Sequence, residues 1–258
     1  MSANNSTVAV VLATLLAASV VFAGVGVAQD EEEMAGVRAV HASPDAPAVD
    51  VYLDNESVLT GVEFGTVSDY LDVEPGEHTI TVTAADNRSA EVFDGNVTLD
   101  AGTNYTVVAA GELSEDANTT FNVSVFVDDA EQPAEGEVAG RVVHLSPDAP
   151  AVDVVNEETG DVLVENVSFR NASDYVTVPA GDYTLGVRPT GNDTSVATFD
   201  VSLDEQTAYT AFAVGYLDPE SAPGDEPFDL VLVEDRTTGA ANETMMGEET
   251  TAENETEA

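Results

Sequence analysis

Along much of the chain apolar and polar positions change places at every step. Val49, Val51 and Leu53 alternate with Asp50, Tyr52 and Asp54, and Ile80, Val82 and Ala84 alternate with Thr79, Thr81 and Thr83. Val123, Val125 and Val127 alternate with Asn122, Ser124 and Phe126. A period of two sends successive side chains to opposite faces, so these segments predict strands with one face buried and one wet. Turn signals (Pro75-Gly76, Ala101-Gly102, Ala180-Gly181) recur between them, and no segment reads as an amphipathic helix of useful length. β-Branched and aromatic enrichment in short, regularly punctuated strands predicts an antiparallel β-sandwich.

The pattern occurs twice. VRAVHASPDAPAVDV at 37–51 returns as GRVVHLSPDAPAVDV at 140–154, FGTVSDY at 64–70 as FRNASDY at 169–175, and Gly76 as Gly181. The interval is about one small β domain, so the chain predicts two tandem antiparallel β-sandwich (Ig-like) domains. Their expected bounds are 37–129 and 140–235, with an acidic lead at 29–36 and a polar linker at 130–139. Residues 236–258, rich in Thr, Glu, Asn and Ala without apolar periodicity, predict a disordered acidic tail.

Charge changes the picture of the setting. Fifty acidic residues stand against six basic ones, all Arg, for a formal charge of −44. Such a chain repels itself in dilute buffer, and molar salt relieves the repulsion by cutting the Debye length to roughly 3 Å. Its apolar runs argue against plain disorder, and the composition resembles that of secreted proteins from halophilic archaea. Nucleic acid is not an expected partner, because phosphate binding needs clustered cations. The chain has no Cys, which excludes disulfides, thiolate nucleophiles, Cys-ligated metals and a lipidated cysteine.

Val8–Ala28 is uncharged and apolar and ends in small residues before an acidic stretch. It predicts a signal peptide over 1–28 for the general secretory route, the alternative being a retained membrane anchor. Either places the bulk of the protein outside the cell. Among the Asn-x-Ser/Thr sequons, Asn55, Asn118 and Asn192 fall in expected loops and are the candidate glycosylation sites.

The repeated HxSPDAPAVDV motif (His41–Val51 and His144–Val154), with the SDY segments and the PG/AG turns, resembles the domain of unknown function DUF4397. That family occurs in secreted bacterial and archaeal proteins, often in tandem. The resemblance covers both repeats and implies an extracellular β-sandwich-like module without an established activity. The second copy has Val155 where the first has Tyr52, so no shared role follows for that aromatic.

Physically the motif is a strand, a stiff corner and a strand: Pro44 and Pro147 suit a turn, while Pro47 and Pro150 keep the preceding residue extended. Strand parity sets Arg38 and Asp50 opposite their apolar neighbours, predicting bracing pairs Arg38–Asp50 and Arg141–Asp153. His41, Asp45 and Asp50, with His144, Asp148 and Asp153, form a candidate structural corner or ligand site, with calcium the conceivable cation. His41, Ser43 and Asp45 name the members of a hydrolase triad but are too close in sequence to converge as one. No GxSxG, HExxH or phosphate-loop motif occurs. The expected function is a non-catalytic, exported envelope structural or binding module, its partners envelope glycans or surface proteins, with membrane contact only through an uncleaved leader. The rival expectation is a divalent-cation or small-ligand domain that uses the corner.

Overall fold

The computed structural model describes residues 33–238. The leader and most of the expected tail lie outside the described residues. The first repeat holds β1 (Ala35–Ala42), β2 (Val49–Leu53), β3 (Glu56–Val62), β4 (Leu71–Val73), β5 (Gly76–Ala84), β6 (Asn87–Leu99), β7 (Asn104–Ala110) and β8 (Asn122–Asp128). The second holds β9 (Glu137–His144), β10 (Val152–Asn156), β11 (Val162–Val167), β12 (Asn171–Ala172), β13 (Val176–Pro179), β14 (Gly181–Pro189), β15 (Ala197–Leu203), β16 (Thr207–Val214) and β17 (Asp229–Asp235). The class is all-β; no α-helix occurs among the described residues.

Each repeat is a sandwich. One sheet runs β4-β1-β7-β8 and its mate β3-β2-β5-β6. The second repeat copies this as β12-β9-β16-β17, with β13 also on β9, against β11-β10-β14-β15. Pairing is antiparallel with one departure from expectation per repeat: β1 lies parallel to β7, and β9 parallel to β16. The reason is connectivity. The chain leaves β1, builds the whole facing sheet, and re-enters beside β1 in the same direction.

Between the sheets of the first repeat Val49, Val62, Ile80, Val82 and Val107 make a buried cluster. The second repeat answers with Val142, Val152, Val154, Leu185 and Val187. A further cluster belongs to neither sandwich. Val40, Ala42, Val108 and Ala110 of the first repeat pack on Val143, Leu145, Phe212 and Val214 of the second. The β1 and β9 sheets therefore face each other, and the described residues form four β layers within one unit.

This inter-repeat core corrects the expectation for β8. Val123 packs inside its sandwich, but Val125 and Val127 are 41% and 48% exposed, while Phe126 packs on the inter-repeat core and Asp128 is buried. The strand turns its aromatic toward the other repeat.

Boundaries also move. β1 starts at Ala35 and β9 at Glu137, so the ends of the expected lead and linker are strand. The rest of the linker is held: Ala130 is buried, and its carbonyl accepts from the Thr238 N–H at 2.8 Å. Arg236, Thr237 and Thr238, assigned to the tail, bond Asp72, Gln132 and Ala130.

Candidate functional site

The repeated corner closes on itself. His41 is 1% exposed. Its Nε2 lies 3.1 Å from the Pro47 carbonyl, and its Nδ1 3.4 Å from the Ser43 N–H. A carbonyl only accepts and an amide N–H only donates, so the ring is neutral with its proton on Nε2. Burial pushes its pKa below the ordinary value, outweighing the Pro47 bond. Phe64 closes one side edge-on at 6.5 Å. His144 repeats the arrangement with Pro150 at 2.9 Å, Ser146 at 3.3 Å and Phe169, and burial lowers its pKa too.

Asp45 is a clamp. Its carboxylate accepts from the Leu113 N–H at 2.9 Å and the Ser114 N–H at 2.8 Å, pinning the loop that follows β7. Asp148 holds Leu217 and Asp218, each at 2.9 Å, in the loop after β16. Both loops start at a glycine in the left-handed region, Gly111 (φ 95°) and Gly215 (φ 78°). A Cβ there would lie 2.2 Å from the Thr120 carbonyl oxygen or 2.1 Å from that of Pro227, so only glycine lets the chain double back. Ser43 is fully buried and donates to the Gly111 carbonyl at 2.6 Å; it has no access to a substrate.

Asp50 looks elsewhere, accepting from the Gly61 N–H at 2.8 Å and the Asp86 N–H at 3.1 Å. Asp153 accepts from the Asn166 N–H at 2.7 Å and the Thr190 hydroxyl at 2.8 Å. The six corner residues thus serve three separate tasks, and among the described residues no group of three or more His, Asp or Glu could hold a metal.

The expected bracing pairs are corrected as well. Arg38 bonds Asp235 of the other repeat at 2.5 Å, 3.3 Å from its Nη2 to Thr210, and Thr106 at 2.8 Å through Nε. Arg141 bonds Asp128 of the first repeat and, through Nε, Thr210 at 2.9 Å. Each acid is completed from its own repeat: Asp128 accepts from Thr106 at 2.7 Å and Tyr70 at 2.6 Å, and Asp235 from Thr210 and Tyr175, both at 2.7 Å. Tyr70 and Tyr175 lie under the two guanidiniums at 4.8 Å. Burial and the adjoining acids push both phenols far up, keeping them neutral donors. Burial alone would lower the Arg141 pKa, but Asp128 raises it.

Parity explains the miss. Arg38 does lie opposite Val37 and Ala39, but its side of β1 carries Val40 and Ala42 into the second core, whereas Asp50 is in the other sheet. The missed partners, Asp128 and Asp235, had a signal: each ends a strand in equivalent positions, VFVDD and LVEDR.

The corner loops of both repeats meet at one end. Tyr216 donates to Glu112 at 3.0 Å across the repeats, and Thr119 completes Glu112 at 2.8 Å. Beside them is a cleft of about 540 Å³ with Asp116, Asn118, Asp148 and Asp218 on its walls. The candidate glycosylation sites Asn55, Asn118 and Asn192 are all exposed. Asn55 forms, with Asp54, a positive-φ hairpin tip (φ 70° and 50°).

Comparison with known proteins finds the model of the Domain of unknown function (DUF4397) over residues 35–155 and again over 154–246. No curated protein matches. A solved structure with some likeness is the family CBM26 module CBMbc from Eubacterium rectale Amy13K in complex with maltoheptaose, at 10% identity and a TM-score of 0.26, covering 78% of this chain and 97% of that one.

Proposed function

The chain belongs to the DUF4397 family, and on that premise we propose that it is an exported, non-catalytic structural and binding module of a salt-adapted cell envelope. The observation that carries the reading is the reciprocal Arg–Asp lock. It joins the two sandwiches through groups with 4% exposure or less on the arginines, which makes one stiff body from two domains. Stiffness serves a spacer or a presenting surface. The corner supports the same reading, since its His, Ser and Asp side chains are consumed in shaping loops and leave no aligned nucleophile and base. What it presents is one composite end, where the loops after β7 and β16 adjoin. The acidic outer surface suits molar salt, and the leader supplies the export route.

The test has two arms. Surface protease treatment of intact cells should remove the protein while sparing a cytoplasmic marker; protection would end the envelope assignment. Purified protein in molar KCl should bind isolated envelopes saturably, and a bulky Ala222→Trp change at the cleft wall should weaken that binding. Turnover of a hydrolase substrate panel that the same variant abolishes would replace the reading with an enzymatic one.

A further inference from the structure

The two repeats differ at one groove. In the first repeat Tyr70 is sandwiched between two guanidiniums, Arg38 at 4.8 Å and Arg236 at 5.0 Å. Arg236 also bonds Asp72 at 2.5 Å and the Tyr70 carbonyl at 3.3 Å. In the second repeat Tyr175 has Arg141 over its ring at 4.8 Å and, among the described residues, no second cation. The residue that follows the lock aspartate is Arg236 in one copy and Asp129 in the other. Where the first copy is filled by Arg236, the second is, among the described residues, an open groove of about 690 Å³. Tyr175 and Arg141 line it, and Asp129, Glu131, Glu137 and Asp174 supply its charge. Arg141 is already neutralised by Asp128, so the groove is strongly anionic.

We propose that this groove binds an arginine side chain of a partner polypeptide, stacked on Tyr175 as Arg236 is on Tyr70, with Asp129, Glu131, Glu137 and Asp174 in the part of Asp72, whose own counterpart is Thr177. An arginine fits because its planar cation both stacks on an aromatic ring and forks to carboxylates. No other cation of this sequence is free to fill the site. It has no Lys, and no Arg occurs in 1–32 or 239–258. The remaining cations are engaged: Arg88 with Asn55, Arg170 with Thr120, and Arg188 with Glu157. The arginine therefore comes from another molecule. Ala139 stands where the first copy has Gly36, whose added Cβ would approach Arg236 to 3.1 Å; the incoming group sits slightly further out.

Calorimetric titration of the full chain with acetyl-Gly-Arg-Gly-amide, its lysine analogue and its uncharged citrulline analogue tests this at 0.15 M and at 2 M KCl. The arginine peptide should bind at both salts, at least tenfold tighter than either analogue, because stacking contact survives screening that removes long-range attraction. Asp129→Arg should weaken binding at least tenfold by placing the chain's own guanidinium over Tyr175. The double variant Glu131→Gln, Asp174→Asn keeps the test open if that change disturbs folding, and should also weaken binding tenfold. Absence of binding, equal binding of the lysine peptide, or affinity untouched by both variants would overturn the proposal.

Discussion

The inner and outer sheets come from one repeated sequence and obey opposite rules. The outer pair, carrying β2 and β10, buries one face and wets the other, so Thr81 and Asp94 or Thr184 and Asp200 meet on the solvent side. The inner pair, carrying β1 and β9, is covered on both faces at its central strands. Its strands β7 and β16 read YTVVAA and YTAFAV and are buried almost throughout. Polar groups in the inner layer survive only fully partnered, and no buried side-chain nitrogen or oxygen among the described residues lacks a partner. The comparison teaches that the acidic residues are a skin over the outer faces, whereas the charges that organise the fold are two arginines and two aspartates in the middle.

The widest gap between the layers should appear at the lock. Arg38→Gln removes the partner of Asp235 and leaves a buried carboxylate, a loss that typically costs about 3–5 kcal/mol. Thermal melting in molar KCl should show it undiminished, since salt screens buried pairs little. Adding Asp235→Leu should recover part of the loss, because the stranded charge goes with it. An unchanged melting temperature in Arg38→Gln would mean the two sandwiches do not depend on the lock.

Val108→Thr comes next. It keeps the shape but sets a hydroxyl in the fully buried inter-repeat cluster, at a cost of about 1–3 kcal/mol. If denaturant melts show no loss, the face between the repeats is wetter than its packing indicates.

Most of the strand pattern was legible, because period-two alternation is a local property. The docking of the two repeats was not. Arg38 and Asp235 are 197 positions apart, and nothing local says which aspartate an arginine in a strand will meet. Two clues lie in the sequence itself. The unbroken apolar runs of β7 and β16 mark strands covered on both faces, and an arginine in a strand of the same buried layer, as Arg38 is in β1 and Arg141 in β9, must be paired. The corner was half legible: its prolines announced a rigid turn, but Asp45 reaches Leu113 across 68 positions, a contact only the assembled fold defines.

Acidification offers a smaller separation. His41 and His144 brace the ends of inner strands and are neutral, their pKa lowered from 6.5 by burial. Between that lowered value and 6.5 the unfolded chain binds more protons than the native one, so stability falls as pH drops below about 6.5. His78, on the outer sheet, has its pKa raised by Asp54. Its contribution is present at low pH and fades as pH rises through that raised value. Melting from pH 7.5 to 5.5 should therefore lose stability, less so in the double variant His41→Asn, His144→Asn, and more so in His78→Asn. A loss that is the same in all three would assign it to the carboxylates instead.

The smallest effect belongs to the same chemistry in the other environment. Val127→Thr makes on the 48%-exposed face of β8 the change that Val108→Thr makes in the inter-repeat core. Removing an exposed methyl group leaves no cavity, and threonine keeps the β-branched shape that suits a strand. The expected change in unfolding free energy lies within about 0.5 kcal/mol of zero. Paired melts of the two variants set exposure against burial at constant side-chain shape. A loss at Val127 as large as at Val108 would mean that this end of β8 is covered in solution, and crosslinking from that position would then show by what.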